Sequence, residues 1–221
     1  ILAQEIRAEV AERVKKLKRT PCLAVLLVGE DKASHLYVSL KKKAAEEAGM
    51  RMELVTRSSE TTQTELIGII QDWNHREDID AILVQLPLPK NIDENAIIEA
   101  IDPSKDVDGF HPENFGKMAL DMSTFIPATP FGILELLERY NVPTDGKHTV
   151  VIGRSHIVGR PMGILMGRKG FPGNSTVTVT HSHSKNINQI TSQADIIISA
   201  LGVPNFLKAE MVKDDVVVID V

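Results

Sequence analysis

The chain has 221 residues, of which 43% are hydrophobic and 25% charged, enough apolar material for a packed core and too little charge for a disordered chain. Lys+Arg 25 against Asp+Glu 30 leaves a net charge of −5 with no basic tail, which argues against nucleic acid as a partner. The longest clean apolar run, Cys22 to Val28, falls far short of the roughly 20 residues that cross a bilayer. The single cysteine, Cys22, excludes an intrachain disulfide and any paired-cysteine zinc or redox site, in keeping with a cytoplasmic protein.

Leu2, Ile6, Val10 and Val14 follow helical spacing and open a basic amphipathic helix through Lys18. Cys22 to Val28, closed by Gly29, reads as a buried strand. A helix over Ala33 to Ala48 stopped by Gly49, a strand over Met52 to Thr56, a helix over Thr62 to Asn74, and a strand over Ala81 to Gln85 halted by Pro87 and Pro89 follow in order. Asp102 to Pro130 breaks this rhythm with four prolines and polar turns, which places a domain boundary near Pro130. A helix over Phe131 to Tyr140 resumes, with Pro130 suited to its start. Then come a strand at Thr149 to Ile152, a helix from about Gly159, and strands at Thr176 to Thr180, Ile196 to Ser199 and Val216 to Val221. The expected architecture is α/β in two domains, 1–130 and 131–221, each with a mostly parallel sheet covered by helices. The opening at Ile1 and the close on a β-branched strand suggest a fragment, with residues expected before Ile1 and beyond Val221.

The second domain opens on Val150-Val151-Ile152-Gly153-Arg154-Ser155-His156-Ile157-Val158-Gly159, a strand, a glycine turn and a helix start. Such a turn aims backbone N–H groups at an anion, as in pyrophosphate binding. Its spacing is glycine, five residues, glycine, which is also met in turns that hold no ligand. After the next strand, where an acidic residue would favour NAD, the chain reads His181-Ser182-His183-Ser184-Lys185. With Arg154 this set suits a 2′-phosphate and favours NADP over NAD, or is an ordinary polar loop. His181 and His183 alone are too small a ligand set for zinc, and no metal site is expected.

In the first domain Tyr37 and Lys41 stand at i and i+4 on one helix face, where an aromatic ring can stack on a flat substrate beside an amine that transfers protons. A core tyrosine beside a solvated lysine run, Lys41-Lys42-Lys43, is the plain alternative. Gln85 is polar at the exit of an apolar strand, the edge where α/β sites form, and Asp106-Val107-Asp108-Gly109-Phe110 sets two carboxylates at a glycine turn.

Together, Ser34 to Lys41 (serine-x-x-tyrosine-valine-x-x-lysine), Val84 to Pro89, Asp106 to Phe110, Gly153-Arg154-Ser155 with Ile157-Val158-Gly159 and Pro161, and His181-Ser182 resemble the bifunctional methylenetetrahydrofolate dehydrogenase/cyclohydrolase family, often called FolD. The resemblance runs over nearly the whole chain. It implies an N-terminal folate-binding catalytic domain and a Rossmann-like NAD(P) domain lacking its C-terminal part. It also implies oxidation of 5,10-methylenetetrahydrofolate with NADP (NAD being the alternative), hydrolysis of the product to 10-formyltetrahydrofolate in one-carbon metabolism, and a homodimer. Lys41 is then the general acid/base, Tyr37 stacks on the folate, Gln85 tunes Lys41, Asp108 hydrogen-bonds the pterin, and Ser34 joins the substrate site. Gly153, Arg154, Ser155, Gly159, Ser182, His183 and Gly202 would hold the cofactor. His183 stands where many members carry Arg or Lys, and Ala128 where cysteine is common.

A lysine must be shifted from about 10.4 to roughly 7 to 8 to exchange protons at neutral pH, which partial burial achieves. Tyr-x-x-x-Lys is also the catalytic pair of short-chain dehydrogenases, but there it follows the nucleotide turn, and here it precedes Gly153. The other reading is a catalytically silent NAD(P)/folate-binding homologue acting as a partner or regulator.

Overall fold

Side chains alternate across a strand, so a strand buried on both faces is apolar throughout. Cys22–Val28 (β1) is such a strand. In the computed structural model, which describes residues 2–221, Cys22, Ala24, Leu26 and Val28 face a core containing Leu66, Ile70 and Trp73. Val25 and Leu27 face the other way, onto Val38 and Leu83. These two layers define the first of two compact units, Ile1–Val107 and Asp108–Val221.

The first unit runs α1 (Leu2–Val14), β1, α2 (Lys32–Glu47), β2 (Arg51–Arg57), α3 (Gln63–His75), β3 (Ala81–Val84) and α4 (Glu94–Glu99). Its sheet is parallel in the order β2-β1-β3. Successive connections leave β1 in opposite directions, which opens a crevice at the strands' carboxyl ends. Thr62 and Glu65 form a capping box that starts α3. Past β3 the chain returns to the same edge: Lys105 O accepts from Ile82 N at 2.7 Å, and Asp106 makes an isolated parallel bridge with Ile82.

The second unit contains α5 (Pro112–Ala119), α6 (Ala128–Arg139), β4 (His148–Ile152), α7 (Gly159–Gly167), β5 (Thr176–Thr180), α8 (Ile187–Thr191), β6 (Ile196–Ser199), a 3-10 turn at Ala209–Met211 and β7 (Val217–Asp220). Its sheet is parallel in the order β5-β4-β6-β7, a Rossmann-like doubly wound order with β4 at the reversal point. Val151, Ile196 and Ile198 pack with Leu134, Met162 and Leu165 on one face. Val150, Ile152 and Ile197 pack with Ala194 on the other.

Helix and strand positions agree with the sequence reading to within a few residues except in four places. The compact units divide after Val107, whereas the sequence reading places a domain boundary near Pro130. Residues 108–130 belong with the second unit because Met118 of α5 enters its core. Two of the prolines of that stretch sit in first helical turns: Pro112 in α5, and Pro130 as the third residue of α6, where a missing N–H costs little. The first helix ends at Val14, short of Lys18. α4, α5 and α8 were unexpected, being too short for an apolar period to show. The last strand is half-buried: Val217 and Ile219 pack against the core while Val218, on the opposite face, is 44% exposed. Ile1 lies outside the described residues. Among the described residues no helix is long and apolar enough to cross a membrane.

Candidate active site

Asp31 caps α2, accepting from Ser34 N at 2.8 Å. The Ser34 amide and then its hydroxyl hold the Asp31 carboxyl below its ordinary range. Ser34, expected in a substrate site, is itself buried and is engaged in starting the helix. One turn on, Tyr37 is 57% exposed, so it is not the core tyrosine of the plain alternative. Lys41, on the same face, is half-buried, whereas Lys42 and Lys43 are exposed.

Gln85 continues the β3 ladder, its N–H donating to Leu26 O at 2.9 Å, which delivers its side chain to the carboxyl edge of the sheet. Lys41 Nζ donates to Gln85 Oε1 at 2.9 Å. The other end of the amide is fixed too, because Gln85 Nε2 donates to Leu86 O at 2.7 Å. The amide therefore presents its oxygen to the lysine, supporting the amine without the charge locking a carboxylate would impose. A half-buried amine beside an exposed aromatic ring can exchange protons with a flat molecule laid on that ring.

Of the two carboxylates in the Asp106 to Phe110 stretch, Asp106 is 1% exposed and lies against β3. Asp108 is half-buried and begins the second unit. The structure thus separates a structural carboxylate from an accessible one, which the sequence could not do.

In the second unit β4 runs into Gly153, with φ +123, where a Cβ would overlap the Ala200 carbonyl. A Cβ on Gly159 would overlap the main chain of Gly153 and Arg154. Only glycine permits this close turn between β4, β6 and α7. The turn differs from the expected cradle in one respect. Ser155 Oγ accepts from Val158 N at 3.1 Å and Gly159 N at 3.4 Å, and Ser155 O accepts from Arg160 N at 3.0 Å. The first amides of α7 are therefore occupied by Ser155, which acts as its cap.

Beyond β5, His181 N donates to Ser184 Oγ at 2.9 Å and His183 N to His181 Nδ1 at 3.2 Å, forming a tight polar turn that leaves Ser182 and His183 exposed. Partial burial first, then the charges of Arg154 and His183, push the His181 imidazole below its usual value. Arg154, on the β4 turn, is thus close enough to act on the turn after β5. Gly202, with φ +63, follows β6 on the same strand edge. The three strand ends bring together hydroxyl and cationic donors, with no carboxylate in the His181 to Lys185 segment. This is a donor set that fits a phosphorylated ribose. Two surface hollows lie elsewhere: one of about 540 Å³ beside Glu53, Arg57 and Trp73, another of about 460 Å³ beside Met118, Leu165 and Phe171.

Sequence reasoning missed Lys105, whose ammonium ties the residues before Asp108 to the end of α3. Its only signal was a cation immediately preceding the Asp106 to Phe110 stretch.

An α/β unit bearing an amine–amide pair at its strand edge, followed by a Rossmann-like parallel unit with a cationic turn, has the composition of a dinucleotide-dependent enzyme. Residues 1–108 match the model of the tetrahydrofolate dehydrogenase/cyclohydrolase catalytic domain, and residues 127–221 that family's NAD(P)-binding domain. The chain belongs to the tetrahydrofolate dehydrogenase/cyclohydrolase family. It is 67% identical over 223 residues to the bifunctional protein FolD of Flavobacterium psychrophilum, covering 99% of this chain and 76% of that one. The crystal structure of the bifunctional enzyme FolD from Campylobacter jejuni matches with a TM-score of 0.94 at 43% identity, covering 98% of this chain and 77% of that one. A Trypanosoma brucei FolD complexed with NADP cofactor and inhibitor matches with a TM-score of 0.90 at 34% identity, covering 96% and 73% of the two chains.

Proposed function

We propose that this chain is a bifunctional enzyme that oxidises 5,10-methylenetetrahydrofolate to the 5,10-methenyl compound with NADP and hydrolyses that product to 10-formyltetrahydrofolate. The observation that carries the reading is the Lys41 Nζ to Gln85 Oε1 contact at 2.9 Å, one helical turn from the exposed ring of Tyr37.

In hydrolysis, neutral Lys41 takes a proton from the water adding to the methenyl carbon. It then returns that proton to the ring nitrogen as the carbon–nitrogen bond breaks, while the remaining hydroxyl proton leaves to solvent and its electron pair closes the C=O of the formyl group kept on the other nitrogen. Gln85 holds the amine in place through both transfers. Tyr37 supplies the stacking platform, the Asp108 carboxylate accepts paired N–H groups of the pterin, and Ser34 contributes by fixing the start of α2.

For the oxidation, NADP when bound supplies the hydride acceptor. Arg154, Ser182 and His183 would hold its 2′-phosphate, while Gly153, Ser155, Gly159 and Gly202 shape the backbone it lies against. A cytoplasmic homodimer completes the reading. The catalytically silent alternative gains nothing from the site, where the Lys41–Gln85 pair is formed.

The test is to mix the purified protein with 5,10-methylenetetrahydrofolate and NADP or NAD and follow the methenyl chromophore. A rise followed by decay is expected, faster with NADP. Absence of the chromophore with both cofactors would overturn the reading.

A further inference from the structure

The Lys105 ammonium donates to three main-chain carbonyls at once, Trp73 O at 2.9 Å, Asn74 O at 2.9 Å and Arg76 O at 2.7 Å. An ammonium has three N–H donors, and here all three are committed to the end of α3, where carbonyls lack intrahelical partners. The chain around Lys105 is tied down as well. Lys105 N donates to Asp102 O at 2.8 Å, and Lys105 O accepts from Ile82 N at 2.7 Å. Asp102 N donates to Asn74 Oδ1 at 2.9 Å, while Asn74 Nδ2 donates to Ala100 O at 2.8 Å. Asp106 then bridges to Ile82, and Val107 packs on the cluster of Val25, Leu27, Val38 and Leu83.

Residues 102–107 are thereby bound to α3 on one side and to β3, the strand that ends at Gln85, on the other. Val107 shares its cluster with Val38, which lies on α2 between Tyr37 and Lys41. A helix cap alone would not require the cation to sit in the loop that leads directly into Asp108.

We propose that Lys105 is a positioning residue for folate recognition: by pinning residues 102–107 to the end of α3 and the edge of β3, it fixes where Asp108 begins and so where its carboxylate meets the substrate. The inference rests on the reading of Asp108 as a substrate acceptor. Groups that must meet a substrate edge tolerate little displacement, since a misplacement of about 1 Å can cost up to about a hundredfold.

The experiment compares Lys105→Met, Lys105→Arg and Asp108→Ala with the unaltered protein in the hydrolysis of 5,10-methenyltetrahydrofolate and in the NADP-linked oxidation. Lys105→Met is expected to raise the folate KM about tenfold in both reactions, leaving kcat and the NADP KM within a small factor. Lys105→Arg should fall between, because a planar guanidinium cannot converge on three carbonyls as an ammonium does. An unchanged folate KM in Lys105→Met, or a loss confined to kcat as from a smaller folded fraction, overturns the proposal. If Lys105→Met does not fold, the folate KM of Lys105→Arg decides by the same criterion. If Asp108→Ala leaves the folate KM unchanged, the Asp108 reading falls and takes the proposal with it. If neither reaction is seen in the unaltered protein, it is the function that fails.

Discussion

Lys41 donates to an amide oxygen of Gln85 whose nitrogen is already given to the Leu86 carbonyl, so the glutamine has a single orientation in which it supports the amine. Lys41→Met keeps an unbranched chain of similar length and removes the proton carrier. Hydrolysis of 5,10-methenyltetrahydrofolate should fall by about 10² to 10⁴-fold, with folate binding largely kept. Lys42→Met and Lys43→Met, at exposed positions, should stay within a small factor. Full hydrolysis in Lys41→Met would move the role to another group.

Gln85→Glu tests the value of a neutral partner. A carboxylate beside the amine favours its charged form, raising the lysine's proton affinity. The limb of the hydrolysis pH–rate profile that reports the neutral amine should move to higher pH by about one unit or more. A profile at its original position would mean that the residue does not act on the lysine.

Arg154→Ala combined with Ser182→Ala removes a charge and a hydroxyl offered to the 2′-phosphate. Hydrogen bonds to charged groups contribute about 1.5 to 3 kcal/mol, so NADP should weaken by roughly ten- to a hundredfold with NAD little changed. Titration of each dinucleotide against protein fluorescence measures this, and equal losses would place the 2′-phosphate elsewhere.

The His181 imidazole, held below the ordinary 6.5 by partial burial and then by Arg154 and His183, should titrate below that value in an NMR pH series. In Arg154→Ala its midpoint should rise, because a repelling positive charge has gone. The folded state here binds the proton less readily than the unfolded chain. His181 therefore contributes stability that is present above the ordinary histidine value and is lost as pH falls from there through its lower folded-state value. A midpoint that does not respond to Arg154→Ala would separate the two turns.

The elements most legible in the sequence were those with a strong local signal. β1 is an unbroken apolar run, and β4 and β6 each carry three consecutive β-branched apolar residues within a buried strand (Val150 to Ile152 and Ile196 to Ile198), while Tyr37 and Lys41 reveal a shared face by their spacing alone. The Lys41–Gln85 contact joins residues 44 apart, and only the resemblance to a family linked them. Periodicity could not show α5 or α8, since eight and five residues carry too few turns. Pro130 suits a helix start in the sequence and sits in the first turn of α6, whereas Pro112 counts there only among the prolines of the irregular stretch, yet sits in the first turn of α5, where the ring is compatible with the helix. Lys105, and the hydrogen bonds by which Ser155 occupies the start of α7, escaped because satisfying an amide or a carbonyl is a matter of three-dimensional approach that residue type does not disclose.

The apolar clusters divide along the chain, two drawn from residues up to Val107 and two from residues beyond it. Inheritance can therefore act on the halves separately. Substitutions that exchange one redox currency for another at the ends of β4 and β5 need not disturb the side chains that hold Lys41 against Gln85. A lineage with this architecture is free to alter which dinucleotide it spends while keeping its proton chemistry intact.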